Sequence, residues 1–495
     1  MIKTWITHGF DKIVGSAKAP ETLNTSFDMY MAKNEAEVCQ ISFVSDEKKT
    51  VSLTVSPVPG LTHQLFVEHY VPVRGELWPD PLVPTDGEVA LSSENPTTVM
   101  IEFRSTAETA AGDYTVNVKA ECDGETVGSY TVNIRVWSFT LPVTPSTESA
   151  MGLSKSQIAR FHGLSDEDEI IEMYKTYYDV LLDHRLSAYS IPYEILDPRA
   201  DEYMSDPRVT SFSCDLELGG YHSQDVRSDD ELKAAGEKLA SDPEWLHKAY
   251  VYPLDEPTTL EHLTKLKEHS DKFHALMPGV HQVIPFYKDL DIDENTDQIE
   301  YMSKLHDIWC PKAKLFEDIY TEEQKQKYPP VYDRMKAFKE KGDRIWWYVC
   351  NYPQPPYVNV FTNDMGISSR ILFWLQYRYE VDGFLYWGTN YWTNLDDPWT
   401  DVDTFRNDIH GDGILFYPGP KVGLNEPIVS HRMKLIRDGI DDVDMFKMAE
   451  KVLGRDKIVE TILSAAPNQT VINITSDEFA KIRADIGNAL SEALK

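Results

Sequence analysis

Asp255 and Glu256 are adjacent carboxylates at the end of an apolar run, Ala249-Tyr-Val-Tyr-Pro-Leu254, and Pro257 follows them. The chain holds eight Asp-Glu dipeptides, and the other seven sit in polar or helical surroundings. An apolar strand running into two acids places them at a strand end, where barrel enzymes keep their chemistry. Two readings of the pair stand side by side. In one, Asp255 or Thr258 caps a helix over Thr258–Met277. In the other the pair is catalytic, and adjacency constrains the mechanism. Ordinary retaining and inverting glycosidases need carboxyls about 5–5.5 Å and about 6.5–9.5 Å apart, on either side of the scissile bond. Neighbours in one chain do not easily flank a sugar from both faces. They suit the substrate-assisted route, in which the substrate's own 2-acetamido carbonyl attacks the anomeric carbon. One carboxylic acid then protonates the leaving oxygen, and its neighbour, as carboxylate, accepts the acetamido N–H.

A second cluster is aromatic. Ile345-Trp346-Trp347-Tyr348 leads into Cys350-Asn351-Tyr352-Pro353, and Gly383-Phe-Leu-Tyr386-Trp387 into Gly388-Thr389-Asn390-Tyr391-Trp392. Asp307-Ile-Trp309-Cys-Pro311 and Pro285-Phe286-Tyr287 are smaller versions. Rings at strand ends can stack on sugar C–H faces, and Tyr or Asn side chains can hold hydroxyls. Packing is the ordinary role of any one ring, and Ile345, Trp347, Phe384 and Tyr386 are expected to fill the barrel or meet helices. As a set after three consecutive strands, the aromatics point to a carbohydrate site. A third cluster runs from Gly411-Asp-Gly413 to Pro418-Gly419 and on through Arg432, Arg437-Asp438 and Asp441-Asp442. No Lys-Ser/Thr follows its glycines, so it is not a phosphate loop. Its charges read as a buried ion-pair network locking the last helix to the barrel. HExxH, GxSxG and His/Cys metal spacings are absent, so no metal or cofactor is expected. His162, His222, His281 and His306 have no evident partner and default to packing or surface roles.

The elements that must position these residues change type along the chain. Up to about residue 142 short β-rich runs recur: Val38–Val44, Thr50–Val55, Leu65–Val73, Thr98–Arg104, Tyr114–Cys122 and Ser129–Phe139. The last two are joined across Asp123-Gly124, a hairpin signal. From Ala150 strands alternate with helices. Eight strands are expected: Ser149–Gly152, Ser187–Ile191, Val209–Cys214, Ala249–Leu254, Gln282–Phe286, Asp307–Cys310, Arg344–Val349 and Gly383–Trp387. Helices are expected at Ser165-Asp-Glu-Asp168 onward, Asp229–Ala240, Thr258–Met277, Glu322–Lys341, Ser368–Glu380, Asp441–Leu453 and Lys457–Ala465, with a last one opening at the capping box Thr475-Ser-Asp-Glu478. The expected architecture is multidomain α/β: a β-sandwich over 1–145, a (β/α)8 TIM barrel over 146–445 and a short C-terminal helical segment over 446–495. A doubly wound sheet lacks its glycine-rich first turn.

The composition narrows the partner. The 495 residues carry a formal charge of −33, with 48 Lys plus Arg against 81 Asp plus Glu, while 42% are hydrophobic. The apolar fraction supports folded cores. The charge argues against nucleic acid and anionic membrane surfaces, because both need a Lys/Arg surplus. A neutral substrate such as a sugar fits best. No apolar stretch of about 18 residues is present, so no transmembrane helix is expected. The N-terminus has no apolar core of a signal peptide, and the five cysteines form no CxxC pair. A cytoplasmic protein is the expectation.

The chain resembles the catalytic domains of glycoside hydrolase family 123. The resemblance is carried by Tyr252-Pro-Leu-Asp-Glu-Pro257, Asp307-Ile-Trp-Cys-Pro311, Trp347-Tyr-Val-Cys350, Gly383-Phe-Leu-Tyr-Trp387, Gly411-Asp-Gly-Ile-Leu-Phe-Tyr-Pro-Gly419 and Arg432 through Arg437-Asp-Gly-Ile-Asp-Asp442, in the family's order. It implies a retaining exo-β-N-acetylgalactosaminidase using the 2-acetamido group and an oxazoline intermediate. Asp255 would orient the acetamido group, and Glu256 would be the general acid/base. Tyr287 is the expected partner of the acetamido carbonyl, and Trp309, Tyr348, Trp387, Asn390 and Trp392 would line the sugar pocket. A small glycan or glycoside is the implied partner. Two other readings remain: a glycosidase for another sugar with a second carboxylate such as Asp215 or Asp396, and a non-catalytic carbohydrate-binding protein.

Overall fold

The computed structural model describes residues 1–214, 217–218, 225–293, 296–317 and 322–494. Two compact units emerge. One comprises Met1–Val143, Val358–Leu375 and Asn390–Lys495, the other Thr144–Tyr357 and Gln376–Thr389. The sequence ranges divide the chain by element type, whereas packing groups the long C-terminal helices with the N-terminal strands.

In the first unit ten strands precede residue 143: β1 (Ile2–His8), β2 (Ser26–Lys33), β3 (Ala36–Ser45), β4 (Lys49–Val55), β5 (Leu61–Val73), β6 (Glu76–Thr85), β7 (Glu88–Leu91), β8 (Thr97–Ser105), β9 (Gly112–Cys122) and β10 (Glu125–Thr140). They form two five-stranded sheets, β1-β3-β8-β5-β6 and β2-β10-β9-β4-β7. Alternate residues, such as Cys39, Ile41 and Phe43 from one sheet and Val116, Val118 and Ala120 from the other, share one apolar core. The β9–β10 hairpin turns at Asp123-Gly124, both with positive φ (54° and 80°), as a type I′ turn requires.

The outer face of the first sheet is polar yet buried. Glu37 on β3, Glu102 on β8 and Asp80 on β6 meet the cations of the helix His431–Leu453 and of Arg370. Arg437 is paired with Glu102 and Asp438, Lys434 with Glu102 (2.8 Å), Arg432 with Asp80 (2.7 Å) and Arg370 with Asp442 (2.7 Å) and Glu37 (2.8 Å). The expected ion-pair network therefore exists, and the pairs named here tie the helix to sandwich strands, where barrel strands were expected. The reason is strand alternation: Ile101 and Phe103 point into the sandwich core, so Glu102 between them points out under the helix.

The second unit is a nearly closed parallel seven-strand barrel. Its strands are β11 (Glu148–Met151), β12 (Phe212–Ser213), and, after the short pair β13 (Glu217–Leu218) and β14 (Asp225–Val226), β15 (Ala249–Val251), β16 (His281–Phe286), β17 (Ile308–Pro311), β18 (Arg344–Val349) and β19 (Gly383–Tyr386). The order is β11-β19-β18-β17-β16-β15-β12. The expected eighth strand, Ser187–Ile191, is reduced to one bridge, Ala188 to Met151. Backbone bonds still join it to both neighbours, from the Met151 N–H to the Ser187 carbonyl (2.9 Å), from the Tyr189 N–H to the Met151 carbonyl (2.8 Å) and from the Ser213 N–H to the Tyr189 carbonyl (2.7 Å), while hydroxyls take other donors. The Ser187 N–H donates to Ser149 Oγ (2.8 Å), the Thr210 N–H to Ser187 Oγ (2.9 Å) and the Ser149 N–H to Thr210 Oγ1 (3.1 Å).

Helix ends follow local chemistry. The helix Glu167–Asp183 is capped by Asp166 rather than Ser165, and the Thr475–Glu478 capping box opens Ser476–Ala493. The expected helix Glu322–Lys341 is split into Glu322–Lys327 and Val331–Lys339, because Pro329 and Pro330 lack N–H donors. Among the described residues no helix is long and apolar enough to cross a membrane.

Candidate active site

The barrel interior is set by alternation. Tyr250, Val283, Ile308, Cys310, Trp346, Tyr348 and Leu385 form the internal cluster. The intervening residues face the surrounding helices. Trp309 is one of them: its ring stacks on Phe338 (4.3 Å between centroids) and its indole N–H donates to Asp343 (2.9 Å). Trp309 is therefore a packing residue and does not line a sugar pocket. Trp347 likewise donates to Gln376 (3.0 Å).

β15 is only three residues long, and Pro253 ends its ladder, so the chain leaves the sheet before Asp255. The helix that follows is Leu260–Leu276, and its cap is Thr259, which accepts from the His262 N–H (3.2 Å). Neither Asp255 nor Thr258 caps it, so the capping explanation of the acid pair falls away. The loop is fastened elsewhere: His269 Nδ1 bonds the Pro253 carbonyl (3.0 Å), and Gln298 donates to the Pro257 carbonyl (3.0 Å).

Glu256 lies at φ +40°, in the left-handed region, directly before a proline. Both features are costly for a residue with a Cβ, and such strain persists where surrounding contacts over-determine it. The two acids have separate partners. The Tyr252 hydroxyl donates to Asp255 (2.7 Å). Glu256 accepts from the Tyr348 hydroxyl at the end of β18, and the Lys312 ammonium lies 3.4 Å away, just past β17. Lys312 also sits over the rings of Tyr287 (4.9 Å) and Tyr348 (5.1 Å). Burial, and then the adjacent Glu256 carboxylate, hold the Tyr348 phenol well above its ordinary range, so it stays a donor. The Cys310 thiol is pushed up by burial and then by the nearby charges of Asp255 and Glu256.

The barrel thus brings Asp255, Glu256, Tyr287 and Tyr348 together at the C-terminal strand ends. Trp387 is half-buried just after β19. There Gly152 lets the end of β11 approach closely: a Cβ at this position would lie 1.9 Å from the Trp387 carbonyl oxygen. Asn390 and Trp392 belong to the other unit. Asn390 is buried and bridges Ile414, and Trp392 is fully buried with its N–H on the Phe416 carbonyl (3.1 Å). Trp392 is a packing residue. Asp396 is exposed in that unit, and Asp215 and His222 lie outside the described residues. His162, His281 and His306 each have partners after all: Tyr177, Asp307 and the Met302 carbonyl.

Sequence reading missed Lys312 and Tyr252. Tyr252 lies within the acid motif, three residues before its partner. Lys312 directly follows Asp307-Ile-Trp-Cys-Pro311, and its position one step past a strand end was the available signal. Among the described residues no cluster of three His, Cys, Asp or Glu side chains could hold a metal.

A family model, the glycoside hydrolase 123 catalytic domain, matches residues 242–449. A solved family 123 glycoside hydrolase from Clostridium perfringens, described for its glycolipid glycan hydrolysis, aligns at a TM-score of 0.71 and 11% identity, covering 100% of this chain and 98% of that one. At that identity the likeness shows the fold. A family 39 glycoside hydrolase from Bacteroides cellulosilyticus (9% identity, TM-score 0.35, 83% of this chain and 81% of that one) and a Bacteroides ovatus family 5 xyloglucanase (9%, 0.25, 84% and 98%) are too distant to carry an argument. No curated protein matches the chain. With its motifs in order and the family model matched across the segment that carries Asp255, Glu256, Lys312 and Tyr348, the chain resembles the glycoside hydrolases of family 123 over residues 242–449 and shares the fold of a solved member.

Proposed function

We propose that the protein is a retaining exo-β-N-acetylgalactosaminidase that uses the substrate's 2-acetamido group as nucleophile. The observation that carries this reading is the adjacent pair at the end of β15, with Asp255 held by Tyr252 and Glu256 by Tyr348 and Lys312. Asp255, as carboxylate, accepts the acetamido N–H and turns the carbonyl oxygen towards the anomeric carbon. That oxygen displaces the aglycone while Glu256 gives its proton to the leaving oxygen. The positive charge of the oxazolinium ion is stabilised by Asp255. Glu256, now a carboxylate, takes a proton from water, and the water oxygen opens the ring with net retention. Tyr287 serves the acetamido carbonyl, and Trp387 offers an aromatic surface for the sugar.

The test is a panel of aryl β-glycosides with and without the 2-acetamido group. Turnover is expected for the 2-acetamido-2-deoxy-β-galactoside and not for the plain β-galactoside. A thiazoline analogue of N-acetylgalactosamine should inhibit strongly. Equal rates on both glycosides, with no thiazoline inhibition, would show an ordinary two-carboxylate mechanism instead.

A further inference from the structure

We propose that Lys312 is a positioning residue for the acid/base step: its ammonium fixes the Glu256 carboxyl in the orientation from which it exchanges a proton with the substrate. The inference rests on the assignment of Glu256 as the acid/base.

The Lys312 backbone is tied on both sides. Its N–H donates to the Phe286 carbonyl at the end of β16 (2.8 Å), and it forms a parallel bridge with Tyr348 of β18. The side chain is 8% exposed and its ammonium is enclosed by the Glu256 carboxylate and two tyrosine rings. Ring faces attract a cation but cannot neutralise it, so the counter-charge is the carboxylate. A lysine serving the fold alone would pair with an acid of the scaffold, as Lys339 does with Asp382. Lys312 pairs with the acid at the strand end.

The other groups facing Glu256 do not duplicate this effect. Asp255, from the same loop, is a like charge. Tyr348, from β18, is a neutral donor, and Cys310, from β17, is a neutral thiol held so by burial and both carboxylates. Tyr252 is committed to Asp255, and Tyr287, after β16, meets Lys312 through its ring face. Lys312 is the cation recorded against Glu256 among the described residues. It therefore holds the carboxyl in place through both half-reactions.

Lys312→Met keeps the stem against both rings and removes the charge. It should lower kcat on the aryl 2-acetamido-2-deoxy-β-galactoside by about tenfold with KM little changed, and Lys312→Arg should restore most of the loss. An unchanged kcat, or a loss matched by a fall in the unfolding midpoint and not restored by Lys312→Arg, overturns the proposal in favour of a structural role. If the Met variant does not fold, Lys312→Gln takes its place. A second readout is coupling: in a Glu256→Gln background Lys312→Met should cost no further turnover, and a full tenfold loss there again overturns the proposal. Failure of the underlying assignment looks different: Glu256→Gln would keep near-full turnover. That result removes the acid/base role and Lys312's place in it, whatever the Lys312 variants show.

Discussion

The two units treat the same residue types in opposite ways. Under the helix His431–Leu453, Glu102, Asp438, Asp442, Arg437 and Arg370 are all but fully buried, and their charges meet in a network of short pairs. At the end of β15, Asp255 and Glu256 are half-buried, and Glu256 keeps 29% of its side chain exposed. The first set is closed to any ligand. The second has partners on one side and access on the other, and it sits on backbone that Glu256's φ of +40° shows to be strained. Charge, adjacency and motif strength do not separate the two sets. Burial and the residual capacity to accept a new partner do.

The comparison breaks most directly at Glu256. Glu256→Gln should lower kcat on the aryl 2-acetamido glycoside by about 10³-fold while leaving the unfolding midpoint close to wild type. Asp255→Asn should cost about 10²-fold on that substrate. A variant at either position that unfolded instead of losing turnover would move the pair into the structural class. Arg437→Ala is the converse. It leaves buried carboxylates at Glu102 and Asp438 short of a cation, at a cost of about 3 kcal/mol in denaturant unfolding. Turnover per folded molecule should be unchanged.

Part of this division was legible beforehand. An apolar strand running into Asp255-Glu256-Pro257 is a local signal, and so are the Asp123-Gly124 turn and the Thr475–Glu478 box, each written within a few residues. Partners distant in sequence were not legible. Lys312 reaches Glu256 from two strands away, and Glu102 meets Arg437 across 335 residues. The phase of a parallel strand was equally hidden. All four residues of β17 are buried, so no polar alternation shows which of Trp309 and Cys310 points inward. The segment Ser187–Ile191 keeps backbone bonds to β11 and β12 but not a full strand, for a related reason: Ser187, Ser149 and Thr210 satisfy other backbone donors through hydroxyls, which hydrophobic patterning does not register.

The buried side of the comparison also has a pH signature. Glu68 on β5 is fully buried, and burial pushes its carboxyl up from 4.5 to about 8 against the opposing pull of Lys12. The folded state then holds a proton that the unfolded chain has already lost, so stability falls as pH rises through this window. His431, lowered to about 4 by burial, acts in the opposite sense only between about 4 and 6.5. Between pH 6.5 and 8, Glu68→Gln should flatten the slope of unfolding free energy by at most about 1.4 kcal/mol per pH unit. Some slope remains, because Glu35 is also raised to about 8. An unchanged slope would mean that Glu68 is already ionised at pH 6.5.

The smallest effect tests the assignment of the aromatics. Trp309→Phe keeps a ring against Phe338 but deletes the N–H that reaches Asp343. The expected cost is about 1 kcal/mol of stability, with KM unchanged. Trp387→Phe makes the contrast, because the half-buried Trp387 follows β19 at the mouth of the barrel and its ring is proposed to meet the sugar. There KM should rise with little change in unfolding. If Trp309→Phe raised KM as much as Trp387→Phe, alternation along β17 would not be what separates packing rings from binding rings.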